Sequence, residues 1–211
     1  MKLLLVAATR LEIEPTIHHF GLETGLISSR DHDIKLLITG VGMVATAYAL
    51  GKELARSTYD LAINAGIAGS FGSSIQTGDV VLVTEDHFSD LGAENRDKFL
   101  AIDDLGFGES KIIPLKHKTI NLPGLNYVKS ITVNTVHGNK KSIEAVVERL
   151  NPQIETMEGA AFFYACNHAG LASVQLRAVS NVVEERNTAN WNIHLAVKNL
   201  NDRLIELIES I

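Results

Sequence analysis

The sequence is short of several residue types, and each shortage removes a class of protein. One cysteine, Cys166, stands among 211 residues. A single thiol cannot close an intrachain disulfide, and no CxxC or Cys/His spacing offers a zinc site, so a reducing, cytoplasmic setting is expected. Four prolines and sixteen glycines leave no collagenous or Pro-rich tract. Nothing approaches the roughly 18 to 20 apolar residues that cross a bilayer. The apolar start, Met1 to Ala8, is met at once by Arg10, Glu12 and Glu14; it reads as a buried strand, not a signal peptide. Basic residues are in the minority, 19 Lys and Arg against 25 Asp and Glu, for a net charge of −6. An acidic chain repels nucleic acid and anionic lipid, so neither is expected as a partner. The eight histidines form no HxxxH or HExxH pattern, and neither metal nor cofactor is expected.

What remains is an ordinary core-forming composition, 45% hydrophobic and 21% charged. It suits a single domain over 1–211. Apolar strand runs are expected at 3–8, 34–39, 61–64, 79–84, 128–133, 153–157 and 172–179. Helical spacing covers 43–57, 140–150, 158–169 and 193–210. The stretch 86–126 is less regular, with turns marked at 106–108, Pro114 and Pro123-Gly124. Alternating strands and helices predict an α/β fold around a central sheet.

Candidate chemistry sits at the expected ends of those strands. Glycines at 66, 69 and 72 follow the third strand in a spacing that fits neither a P-loop nor G-x-G-x-x-G. They allow close backbone approach to a ligand, or simply a tight turn. Glu12 is a possible general base or a solvated first-turn residue. Glu158 stands among small apolar residues, where a carboxylate needs a partner; two vicinal ribose hydroxyls or a helix N-terminus would serve. Ser180-Asn181 ends a buried strand. Trp191, the only tryptophan, is a lid over a flat ligand or an anchor for the last helix. His137 is expected in a solvated loop, with a place in a base pocket as the alternative. Cys166 reads as a buried core thiol.

Taken in order, Ala8 to Glu12, Gly40-Val41-Gly42, Asn64 to Gly69, Thr77 to Val81, Glu155 to Ala160 and Arg177 to Asn181 resemble the purine nucleoside phosphorylase/nucleosidase superfamily, in particular its hydrolytic branch. The resemblance runs over nearly the whole chain. It implies a three-layer α/β/α sandwich around a mixed, partly barrel-like sheet, a purine nucleoside as small-molecule substrate, and a homo-oligomer, dimer or larger. It implies that Glu12 activates water, that Ala68 and Gly69 approach the ligand by their backbone, that Met157 and Glu158 lie under the ribose, and that Ser180, Asn181 and Trp191 belong to the substrate site.

One position departs from the pattern. The methylthioadenosine nucleosidases of this family carry Ser-Asp where this chain has Ser180-Asn181. An amide is no acid. Its C=O and NH₂ match the N7–H and O6 of a departing 6-oxopurine, whereas a carboxylate matches the two donors of adenine. The tail 180–187, followed by Trp191-x-Ile193, resembles the branch that removes hypoxanthine from a carboxylate-bearing nucleoside in menaquinone biosynthesis. Arg186 and Arg96 are the candidates to meet that carboxylate. The rivals are a methylthioadenosine nucleosidase, a phosphorylase using Arg10 and Ser70 for phosphate, and a non-enzymatic nucleoside sensor.

Overall fold

A strand in which every side chain is apolar must be covered on both faces. Strand β1 (Lys2–Ala7) meets that demand by alternation. Leu3, Leu5 and Ala7 enter one buried cluster, and Leu4 and Val6 enter another. The computed structural model describes residues 1–22, 26–29, 32–117 and 124–211, the segment 26–29 by its backbone. After β1 come α1 (Glu14–Phe20), β2 (Leu26–Ser29), β3 (His32–Ile38), α2 (Met43–Leu54), β4 (Leu61–Ser70) and β5 (Val80–Phe88). A hairpin of β6 (Gly92–Asn95) and β7 (Lys98–Ala101) and a short β8 (Lys111–Ile112) follow. The chain closes with β9 (Asn126–Thr132), α3 (Lys140–Leu150), β10 (Ile154–Thr156), α4 (Gly159–His168), β11 (Ser173–Val182) and α5 (Ile193–Ser210).

The main sheet runs β10-β9-β5-β11-β4-β1-β3-β2, and β10 also pairs with β4. That extra pairing closes β4, β10, β9, β5 and β11 into a ring. The ring is mixed: β11 lies parallel to β4 and antiparallel to β5, and β10 is antiparallel to β4. Helices α1 and α5 cover one face with Ile17, Ala196, Leu200, Leu204 and Leu207. Helices α2 and α4 cover the other with Leu50, Phe162, Phe163 and Cys166. This is the expected three-layer sandwich with a partly barrel-like sheet.

Two elements differ from the sequence-based expectation. The glycine-rich stretch 64–70 is the second half of β4 and not a turn. Ser180 and Asn181 do not follow a strand but belong to β11, which runs on to Val182. Periodicity fails at both places because glycines and polar residues sit in positions that ladder hydrogen bonds and close packing hold extended. The middle segment 86–126 holds the end of β5, the hairpin and β8; the expected turn at Pro123 lies outside the described residues. Cys166 is buried, and burial pushes its thiol up to about 12.

Asn201 of α5 ties the layers to the future site. Its Oδ1 accepts from Thr16 N and Oγ1 (3.0 and 2.6 Å), and its Nδ2 donates to the backbone oxygen of Glu12 (2.9 Å). At the opposite layer, Gly159 opens α4 against the side chains of Asp86 and Gln175, and a Cβ there would overlap their oxygen and nitrogen atoms. Alanine in a helix is ordinarily worth about 1 kcal/mol over glycine. Here the sign should reverse: Gly159→Ala is expected to destabilise the fold by about 1–3 kcal/mol, the cost of overpacking a core, read from the urea midpoint.

Candidate active site

The ends of β1, β4 and β11, the β10–α4 junction and the loops 136–138 and 186–191 surround a cleft of about 370 Å³. Glu12, Ala68, Gly69, Met157, Glu158, Ser180, Asn181 and Trp191 all line it. The structure therefore brings every residue of the sequence-based set to one place.

Glu12 lies in the turn between β1 and α1 and is nearly buried. Both its oxygens are held. Oε2 accepts from Thr9 N and Thr9 Oγ1 (2.9 Å each), and Oε1 accepts from Ile67 N (3.2 Å). It is not a solvated helix residue. Glu158 occupies the N-cap position of α4 but makes no capping bond with its side chain. Instead Oε1 accepts from Gly42 N (3.0 Å), and Oε2 lies 3.6 Å from Nη1 of Arg177. Gly42 reaches that carboxylate at φ +97°, a conformation costly for any other residue.

Arg177 is buried to 1% exposure. Its Nε donates to Gln175 Oε1 (2.8 Å), and Gln175 Nε2 donates to Asp86 Oδ2 (3.0 Å). Thr132 Oγ1 donates to Asp86 Oδ1 (2.8 Å) and accepts from Ala160 N at the start of α4 (2.8 Å). Nη2 has no hydrogen-bond partner among the described residues. A polar chain thus runs through the five-stranded ring from Glu158 to the N-terminus of α4. Gly66 is bare because Arg177 Nη1 and Glu12 Oε1 crowd the space its Cβ would fill. Burial drives the Asp86 carboxyl up to about 6, against the pull of Gln175, Thr132 and Arg177.

On the opposite wall, β11 bulges between Val179 and Asn181, which pair with Ala68 and Gly69 in turn. The bulge turns Ser180 inward. Its hydroxyl donates to Asn181 Oδ1 (2.8 Å), with Ala68 O at 3.2 Å. Beside it stands a pair that sequence reasoning missed. His137 is not solvated: its Nδ1 is 2.6 Å from Glu155 Oε2, and its backbone N–H donates to Glu155 Oε1 (3.1 Å). Glu155 is 5% exposed on β10, and both residues line the cleft. The available signal was a carboxylate inside a short buried strand, which must have a partner. Arg177, inside the apolar run 173–179, carried the same signal.

Of the two candidate cations, Arg186 lines the cleft with its guanidinium 5.3 Å from the Trp191 ring centroid. Arg96 does not reach it. It sits at φ +56° in the turn between β6 and β7, a strand pair separate from the main sheet. Arg10 and Ser70 do not line the cleft either. Among the described residues no group of three or more His, Cys, Asp or Glu is placed to hold a metal ion, and no helix is long and apolar enough to cross a membrane.

A fold with a closed mixed ring, three buried carboxylates and an amide around one cleft has clear relatives. The chain belongs to the phosphorylase superfamily, whose family model matches residues 3–211. Within it, the chain is 33% identical over 187 residues to futalosine hydrolase of Streptomyces coelicolor, covering 83% of this chain and 80% of that one. It is 31% identical over 171 residues to futalosine hydrolase of Thermus thermophilus, covering 78% and 76%. Its fold matches the 5′-methylthioadenosine/S-adenosylhomocysteine nucleosidase of Helicobacter pylori with TM-score 0.86 at 17% identity, over 100% of this chain and 99% of that one. Futalosine hydrolase of Helicobacter pylori matches with TM-score 0.84 at 15% identity, over 100% and 98%.

The buried Asp86 carboxyl gives the site a pH signature. Its folded value near 6 lies above the ordinary 3.8, so the folded state binds the proton more tightly. The stability it contributes is full below about pH 4 and is lost as pH rises through about 6. Asp86→Asn should remove that component. As pH rises from 4 to 7, the urea midpoint of wild type should fall relative to that of the variant.

Proposed function

We propose that this chain hydrolyses the N-glycosidic bond of futalosine, releasing hypoxanthine. The observation that carries the reading is the pairing of two held carboxylates, Glu12 and Glu158, with a neutral amide, Asn181, in one cleft. Kinship with futalosine hydrolases over most of the chain supports it. The reaction passes through an oxocarbenium-like sugar, as glycoside hydrolysis does in general. Glu158 takes the ribose 2′ and 3′ hydroxyls, with Arg177 holding its second oxygen and Met157 lying beneath the sugar. Glu12, fixed by Thr9 and the Ile67 amide, orients a water and takes its proton as the water attacks C1′. Asn181, oriented by Ser180, presents C=O and NH₂ to the N7–O6 edge of the base, which takes its N7 proton from solvent or a relay as it leaves. Ala68 and Gly69 let the backbone close on the ligand, and Trp191 lies over it. Arg186 meets the carboxylate of the substrate. We infer that this reaction serves menaquinone biosynthesis in the cytoplasm, where a chain with a single cysteine fits a reducing setting.

The test is hypoxanthine release from futalosine in phosphate-free buffer, with methylthioadenosine and inosine in parallel. Glu12→Gln and Glu158→Ala should each lower kcat by at least about 100-fold, the usual worth of a positioned acid–base group. Asn181→Asp should raise activity on adenine nucleosides relative to 6-oxopurine ones. Near-wild-type turnover in either carboxylate variant overturns the assignment, and a strict need for phosphate would make the protein a phosphorylase.

We also propose that the active form is a homodimer, with the α2–α4 face covered by a second copy. Val44, Tyr48, Phe107 and Tyr164 are exposed there, Val44 to 81% and Phe107 to 80%, around a groove of about 350 Å³. The apolar patch is continuous with Val41, which is exposed and lines the cleft, so the second copy would border the site. Tyr48→Glu should shift the protein from dimer to monomer in sedimentation velocity. A wild type that sediments as a monomer at micromolar concentration overturns this.

A further inference from the structure

The hydrolysis leaves one pair in the cleft without a task. His137 and Glu155 are held together by three hydrogen bonds, the shortest at 2.6 Å. Glu155 anchors the loop at 136–138 through the His137 amide, but that contact alone does not call for an imidazole at 137. Their place is informative. Glu155 Cγ and Asn181 Nδ2 flank the bare Gly69, each within 3.6 Å of the point where its Cβ would lie. The pair therefore shares a wall with Asn181, on the side of the cleft assigned to the base. Phe71 backs the imidazole edge-on, its ring centroid 6.3 Å away. The pair also settles which nitrogen faces the ligand, since Nδ1 is taken by Glu155.

We infer that His137, held by Glu155, places an Nε2–H donor on the 6-oxo group of the departing purine. This rests on the reading of the cleft as a 6-oxopurine nucleoside site. A carboxylate only accepts, so the hydrogen between the two residues belongs to Nδ1. With the ring as the imidazolium, the buried Glu155 carboxylate has its counter-charge 2.6 Å away. The second N–H of that ion is on Nε2, which bonds no described residue. The leaving group explains the need. As C1′–N9 loosens, its electron pair spreads over the purine and reaches O6. Asn181 can match that edge but brings no charge to it. A charged hydrogen bond to O6 stabilises the transition state more than the ground state, because the oxygen gains charge on the way. The same donor would point at the N–H of a 6-amino group, so adenine is disfavoured. Glu155 is the positioning residue of the pair: it fixes the ring through Nδ1 and the loop through the His137 amide.

The experiment compares wild type, His137→Leu and Glu155→Gln. Binding of free hypoxanthine, unsubstituted purine and adenine is measured by titration calorimetry, and kcat and KM are measured on futalosine, with folding checked by circular dichroism. Losing a charged hydrogen bond corresponds to about 10- to 100-fold. His137→Leu should lose hypoxanthine affinity by at least about 10-fold while purine, which lacks O6, binds within about twofold of wild type. Turnover should fall mainly in kcat. Glu155→Gln keeps an acceptor for Nδ1 but no charge, and should fall between the two. A parallel loss for all three bases, or a hypoxanthine-to-purine ratio that does not move in either variant, overturns the inference. So does a wild type that binds hypoxanthine no better than purine. If wild type releases no hypoxanthine from futalosine yet the ratios shift as stated, the substrate reading fails and the His137 assignment stands. If futalosine is cleaved and the ratios stay fixed, the reverse holds.

Discussion

The site depends on one guanidinium taken out of water. Arg177 sits on β11 at 1% exposure, with Gln175 below it and Glu158 above. A buried cation is tolerated only if its charge is balanced and its donors are used. Here the balance comes from Glu158 at one end and Asp86, through Gln175, at the other. Those partners come from different strands of the five-stranded ring and from the start of α4. The ring therefore holds a polar chain where a smaller barrel would hold apolar side chains. That chain fixes where α4 begins, and with it Glu158. It also explains why Gly66 has no side chain: Arg177 and Glu12 meet over its backbone. One buried charge thus sets the position of Glu158, while Thr9 and the Ile67 amide hold Glu12 beside it.

Much of this was legible in the sequence where pattern and physics agree. Past Lys2, β1 has only apolar side chains, alternating between the two layers, and α5 repeats Ala196, Leu200, Leu204 and Leu207 on one face. Period and burial coincide there, so fold class followed. The eight site residues were readable only as an ordered set. Taken alone, Glu12 looks like any first-turn glutamate, and only the fold brings it to Ile67, 55 residues away. The strand boundaries failed at β4 and β11, where glycines and a bulge break the period that marks a strand. The His137–Glu155 pair was missed for another reason. Its two members are 18 residues apart with helix α3 between them, and no local spacing joins them. What could be read was the anomaly of Glu155 within a buried strand, and a buried anion always asks for its partner.

The two walls of the cleft divide the chemistry by charge. On the wall proposed to face the sugar stand two carboxylates, Glu12 and Glu158, suited to a ribose that becomes cationic as the glycosidic bond opens. In the proposed reaction Glu158 takes its hydroxyls, and Glu12 directs water to the open face of C1′. On the base side stands no free anion: Asn181 is neutral, and Glu155 is occupied by His137. That arrangement follows the electrons. The base gains negative charge as the sugar loses it, and a carboxylate facing it would oppose departure unless it carried a proton. An acid that hands the base a proton is one answer. A 6-oxopurine offers another solution, because O6 can collect the charge and accept a hydrogen bond for it. Replacing the acid by an amide therefore removes no driving force if a donor stands at O6. The fold places an imidazole on that wall, with its Nδ1 held by Glu155 and its Nε2 bonded to no described residue.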